Sequence, residues 1–291
     1  MTHLIAQTQQ LLIGYEVQGP VGGPPLLLLH GWPDDVRTWD AVATPLASAG
    51  WRTVAPYLRG FGPTRFWDSS VPRTAQPTAM AQDAIDLLDS LELERVTVVG
   101  HDWGARIAYT LAALWPERVE RLITLANIYE TGMTPGSQLN YSQQQAFWYQ
   151  WFFGSERGRE ALQDNSRELC QYLWKTWSPA WDFTPEEFAR TAASWDNPDW
   201  VEITLHSYRV RWGNAPIDPQ WVEKEERLKE HPPIFAPTIH FQGEIDGAVL
   251  ADALKDQSAS YVGPYRSHIL PGVGHFIQRE RPEVVLDTLL S

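Results

Sequence analysis

Cysteine is nearly absent from this chain. Cys170 is the only one in 291 residues, so no internal disulfide can form, which fits a reducing compartment. Positive charge is scarce too: 23 Lys and Arg stand against 36 Asp and Glu, giving a net charge of −13 and a pI near 5.0. That balance argues against nucleic acid or an anionic membrane surface as partner. No apolar run approaches the ~18 residues of a membrane span. The first residues, M-T-H-L-I-A-Q-T-Q-Q, have neither a basic stretch nor a long apolar core, so no secretory leader is expected there and the cytoplasm is the expected location. What the chain has in quantity is 43% hydrophobic residues, enough for a substantial core, and 15 tryptophans. Its length suits one large domain or a domain carrying an insertion.

The most informative stretch is V-V-G-H-D-W-G-A-R, Val98 to Arg106. A β-branched run (Val96 to Val99) ends at Gly100, and a helical pattern starts at Trp103 and carries Ile107, Leu111, Ala112 and Trp115. Between them lies G-x-D-x-G. With serine at its centre this is a nucleophile elbow, a sharp strand-to-helix turn that lifts one side chain out of the sheet. Here the lifted residue is Asp102. A carboxylate is a poor nucleophile toward a carbonyl, because the anhydride formed reverts. It is competent toward a saturated electrophilic carbon, where displacement leaves an alkyl ester that water must then hydrolyse with help from a base. The helix N-terminus favours the ionised carboxylate by about 0.3–1 kcal/mol. Taken alone the pentapeptide would read as an Asp helix cap, so the rest of the constellation decides.

Before the elbow, Leu11 to Val17 is a candidate strand, and the apolar tetrad Leu26 to Leu29 has the pattern of a strand buried on both faces of a parallel sheet. It runs into His30-Gly31-Trp32-Pro33. In an elbow-bearing sheet the loop after this strand supplies one backbone N–H of the oxyanion hole, here Trp32, and the residue after the nucleophile, Trp103, supplies the other. A cis bond before Pro33 suits such a tight loop. Arg52 to Ala55 reads as a strand, Thr78 to Leu91 as an amphipathic helix and Leu122 to Leu125 as another buried strand. This alternation means a mostly parallel α/β sheet. From about Glu130 to His231 strand candidates vanish and nine of the tryptophans gather, which predicts a helical cap at residues 130–231 inserted into a core of 1–129 and 232–291. Many of those tryptophans are expected to be core, some to line an apolar pocket facing Asp102. The charged run Glu223 to Glu230 reads as a solvated helix face. Thr238 to Gln242 and Ser267 to Leu270 are the last strands, and Pro282 to Leu290 the final helix.

Asp102, Asp246 and His275 thus fall at the carboxyl ends of three parallel strands, where open α/β sheets bind ligands. Nucleophile, acid, histidine is the chain order of the α/β-hydrolase triad. Among eight histidines, only His275 combines a final strand, a glycine turn (P-G-V-G-H) and this order. It would take a proton from water, with Asp246 orienting its ring. Glu244 is the rival acid, whereas Asn127, after the preceding strand, cannot serve as an anion.

With H-G-W-P, G-H-D-W-G, G-x-x-D and G-x-G-H in place, the chain resembles an α/β-hydrolase of the epoxide hydrolase and haloalkane dehalogenase branch over nearly its whole length. The resemblance implies an α/β-hydrolase fold with a helical cap, no cofactor and no metal, and a small-molecule substrate; the oligomeric state is left open, a homodimer included. Within the branch the leaving group decides. A halide departs as a stable anion needing only N–H donors, and the dehalogenase asparagine that follows H-G is Trp32 here. An epoxide oxygen departs as a basic alkoxide and needs a proton donor such as tyrosine. Tyr149, in F-W-Y-Q-W-F-F, and Tyr208, in L-H-S-Y-R, are similar in context to the two cap tyrosines of epoxide hydrolases, with Tyr141 and Tyr172 as fallbacks. Trp103, Trp151 and Arg106 are expected to contact substrate. Arg106 also resembles an arginine of haloacid dehalogenases, but their second arginine is replaced by Trp103 and their cap histidine by Gln150.

The expected activity is hydrolysis of an apolar epoxide to a diol through an ester on Asp102. Dehalogenation of a haloalkane or haloacid by the same triad is the alternative. A non-catalytic small-molecule receptor on this fold is the reading from another class.

Overall fold

A computed structural model of the chain describes residues 3–130, 140–254 and 256–291. Among the described residues nine strands form one sheet: β1 (Leu4–Gln7), β2 (Leu11–Gln18), β3 (Pro25–Leu29), β4 (Arg52–Pro56), β5 (Arg65–Phe66), β6 (Val96–His101), β7 (Val119–Leu125), β8 (Thr238–Gly243) and β9 (Tyr265–Leu270). Their spatial order is β1-β2-β4-β3-β6-β7-β8-β9, with β5 beside β2. Pairing is antiparallel at the β1, β2 and β5 end and parallel from β4 through β9. The expected strands and the final helix, Pro282–Leu290, are present to within a few residues at each end. The pairs β1 and β5 were not anticipated: each is at most four residues long and carries no extended apolar signature.

The core explains the apolar tetrad. Leu27 and Leu29 join one hydrophobic cluster and Leu26 and Leu28 the other, one on each face of the sheet, and all four are fully buried. Val98 and Val99 divide in the same way. Successive strand residues point to opposite faces, so a strand covered by helices on both sides must be apolar at every position. Each such leucine is worth about 1.5–3 kcal/mol relative to exposure.

Between β7 and β8 the described residues form helices and no strand: Tyr141–Ala146, Trp148–Phe152, Glu156–Asp164, Ser166–Trp177, Pro185–Ala192, Trp200–Arg211 and Val222–Lys229. Local chemistry starts several of them. Thr184 and Glu187 form a reciprocal capping box with Pro185 in the first turn, and Ser155 caps the helix at Glu156. The start of the predicted insertion, 131–139, lies outside the described residues. The run Glu223 to Glu230 departs from the expected solvated face at Glu225. That side chain is buried and accepts hydrogen bonds from Thr78 N (3.1 Å) and Thr78 Oγ1 (2.6 Å), closing the N-terminus of the helix Pro77–Ser90. Among the described residues no helix is long and apolar enough to cross a membrane.

Candidate active site

β6 ends at His101, and the next residue, Asp102, has φ 51° and ψ −112° before the helix Trp103–Leu114 begins. A non-glycine residue in this region costs about 1–3 kcal/mol and persists only where its surroundings hold it. They do: Asp102 N donates to Leu125 O (3.1 Å), and Asp102 O accepts from Arg106 N (3.1 Å) and Asn127 Nδ2 (3.4 Å). The flanking glycines permit the close packing. A Cβ on Gly104 would lie 2.0 Å from Leu29 O, and one on Gly100 2.3 Å from Gly104 O.

Asp102 is only 8% exposed. Its Oδ1 accepts the backbone N–H of Trp32 at 2.9 Å, and the carboxylate also accepts the N–H of Trp103. Both expected oxyanion donors therefore aim at one carboxylate, whose Oδ2 stands 3.9 Å from His275 Nε2. The loop that delivers Trp32 is held by His30. Its Nδ1–H donates to Gly31 O (2.9 Å) and its Nε2 accepts Leu58 N–H (3.1 Å), and burial drives its pKa down to about 4, so the ring is neutral. The Trp32–Pro33 bond is cis.

The Asp102 environment works in both directions. Burial raises the carboxyl pKa, opposed by His275, the two N–H donors and Arg106. Burial thus outweighs the helix N-terminus that the sequence alone suggested would hold the pKa down.

His275 Nδ1 lies 2.9 Å from Asp246 Oδ2. Asp246 is itself fully satisfied: Ala248 N (2.7 Å) and Val249 N (2.9 Å) donate to Oδ1, and Gln242 Nε2 (2.9 Å) donates to Oδ2. With Oδ2 accepting from the ring, Nδ1 carries the proton and Nε2 is left as a lone-pair base facing Asp102. That Nε2 is buried and has no hydrogen-bond partner. Burial works to lower the His275 pKa, but the carboxylates of Asp246 and Asp102 outweigh it and the net shift is upward. Glu244, the rival acid, is exposed and accepts from Gly272 N instead. Gln242 was not anticipated. Its signal was present, as the last side chain of β8 before the glycine of G-x-x-D.

Over Asp102 lies a cavity of about 530 Å³, including its open mouth, lined by Asp102, Trp103, Asn127, Phe147, Tyr149, Gln150, Tyr208 and Arg211 among others. Tyr149 and Tyr208 are buried, with their rings edge to face at 5.4 Å between centres. Trp103 Nε1 donates to Tyr208 Oη (3.2 Å), and Gln150 Nε2 donates to Tyr149 Oη (2.8 Å). Burial, reinforced by the Asp102 charge, raises both phenol pKa values above their ordinary range. Tyr141 and Tyr172, 79% and 55% exposed, are elsewhere.

Several expected contacts need correcting. Trp151 does not line the cavity; it is 42% exposed and packs on Trp212 at 4.1 Å between ring centres. It follows Tyr149 by two residues on a short helix, and a 100° step per residue turns it to the outer side. Arg106 is also outside the described lining. It sits one helical turn beyond Asp102, with Nη1 buried and unpartnered, and burial together with Arg211 pulls its pKa down to about 10. No tryptophan of the helical segment lines the cavity among the described residues. Trp174, Trp177 and Trp200 are instead fully buried in the packing behind it, where Trp177 stands 5.0 Å from the His275 ring. Among the described residues no cluster of three or more His, Cys, Asp or Glu is placed to hold a metal.

The α/β-hydrolase fold family matches residues 24–282, most of the chain. This chain belongs to the α/β-hydrolase family. The hydrolase is placed in the epoxide hydrolase branch by its likeness to a candidate epoxide hydrolase from Klebsiella pneumoniae, 38% identical, with a TM-score of 0.94 over 99% of this chain and 96% of that one. It is 26% identical to epoxide hydrolase A of Mycobacterium tuberculosis over 320 residues, covering 100% of this chain and 96% of the relative. An epoxide hydrolase of Caballeronia sordidicola is 39% identical, but over 107 residues, which span 36% of the hydrolase and 31% of that protein.

Proposed function

We propose that this hydrolase opens an epoxide to a vicinal diol through an ester on Asp102. One observation carries the reading: a carboxylate tied to two N–H donors shares a cavity with two tyrosines. Asp102 Oδ2 attacks a ring carbon, the C–O bond breaks, and the departing oxygen takes a proton from the tyrosine pair. His275 Nε2 then removes a proton from water, whose oxygen adds to the ester carbon. Charge builds on Oδ1, the atom facing Trp32 N–H. Collapse expels the second diol oxygen, which takes the proton from His275. The water proton left on the regenerated Asp102 carboxyl returns to the tyrosine pair.

Dehalogenation is less well supported, because its halide donors are engaged. Trp103 Nε1 donates to Tyr208 and Trp32 Nε1 to Thr204 Oγ1 (3.0 Å). The helical segment 130–231 serves as a cap over a core of 1–129 and 232–291. Its polar contributions to the cavity, Gln143, Gln150 and Arg211, favour a compact epoxide bearing a polar substituent over the apolar one first expected. The test is His275→Gln with styrene oxide, followed by intact-protein mass spectrometry. One substrate mass should accumulate on the protein; no gain with any epoxide would overturn the mechanism, and halide release from a bromoalkane without diol formation would favour dehalogenation.

A further inference from the structure

The hydroxyl protons over Asp102 can be counted from the donors around them. An indole N–H only donates, so Tyr208 Oη must accept from Trp103 Nε1. Gln150 is buried against the cavity, and its Oε1 accepts from Trp212 Nε1 at 3.0 Å. Since Trp212 also cannot accept, the amide of Gln150 has one orientation, with its NH₂ toward Tyr149 Oη at 2.8 Å. Each phenol oxygen therefore takes an N–H that cannot be reversed. The two rings stand edge to face over Asp102 with centres 5.4 Å apart. Their hydroxyl protons are left to point away from these donors, into the cavity that both tyrosines line.

The geometry points to Gln150 as a positioning residue for ring opening. By donating to Tyr149 it keeps that oxygen an acceptor, so the Tyr149 hydroxyl proton faces the epoxide, and it stabilises the phenolate left after transfer. Trp212 is the lock on the amide. Trp151 is the buttress behind Trp212, packed on it at 4.1 Å, which gives the misassigned tryptophan a place two contacts back from the chemistry. Burial alone makes these phenols weak acids, and the hydrogen bond from Gln150 works against that for Tyr149. The inference rests on the epoxide reading above.

The experiment is single-turnover ester formation from styrene oxide, quenched and read by protein mass. Gln150→Leu should form the ester about ten- to a hundredfold more slowly, the worth of one hydrogen bond to a charged group, with the later hydrolysis step unchanged. Gln150→Glu keeps the shape and covers the case in which the leucine variant fails to fold. Its protonated carboxyl can still donate to Tyr149 while accepting from Trp212. Once ionised it only accepts, and captures the Tyr149 proton. Ester formation by this variant should therefore fall as pH rises through the titration of the new carboxyl, a dependence that the parent lacks. Parent-like rates in Gln150→Leu, or a parent-like pH profile in Gln150→Glu, would overturn the role of Gln150 alone. Failure of the parent itself to form an ester would instead remove the epoxide reading beneath it.

Discussion

The two halves of the site are built by different means. The sheet half, with Asp102, Asp246, His275 and the loop of Trp32, is fixed by backbone. Its carboxylates accept main-chain N–H groups, and glycines allow strands and loops to approach within contact distance. The helical half, with Tyr149, Tyr208 and Gln150, is fixed by side chains gripping side chains. Backbone donors cannot be mutated away, whereas each partner in the helical half can. The sheet half is therefore suited to the proposed nucleophile and base, which every turnover would require. The helical half is suited to tuning which leaving group and substrate are handled.

Substitutions can break or sharpen that contrast. The largest effect belongs to Asp102→Asn, which should abolish ester formation and lower turnover by on the order of 10⁶, measured as diol production. Asp246→Asn should cost on the order of 10⁴, confined to hydrolysis of the ester. The same variant carries a pH signature. His275 acts as a base only when neutral, so hydrolysis should fall as pH drops through its titration; the Asp246 carboxylate raises the His275 pKa, so removing that charge should move the midpoint down. In the helical half, Tyr208→Phe or Tyr149→Phe should each slow ring opening by about 10², leaving hydrolysis of the ester intact. A hydrolysis defect in either phenylalanine variant would dissolve the division of labour. The smallest effect is expected for Trp151→Ala. It should leave KM for styrene oxide unchanged, whereas a clear rise would return Trp151 to the cavity wall.

The sequence exposed these halves unequally. The elbow, the H-G-W-P loop and the P-G-V-G-H turn are short contiguous patterns in which glycine spacing reports backbone approach directly, and Gly104 and Gly31 each turn out to face atoms that a Cβ would strike. Asp246 over Glu244 follows from position beyond β8 and is matched by the contact to His275. In the aromatic segment 147–153, almost every residue could face the cavity, and a five-residue helix carries too little periodicity to say which does. Tyr149 and Trp151 were both reasonable; only packing separates them. Gln150 looked like a mere departure from another family's histidine, because its role depends on Trp212, 62 residues away.

Chain order and residue type by themselves determined a mostly parallel sheet with a carboxylate at a strand-to-helix elbow, because both are written in local spacing. Only the tertiary structure decided which aromatic side chains meet over that carboxylate, which way the Gln150 amide faces, and that burial rather than the helix terminus dominates the Asp102 pKa. These depend on distances between segments far apart in the chain and on the exclusion of water, and no local pattern of residues encodes either.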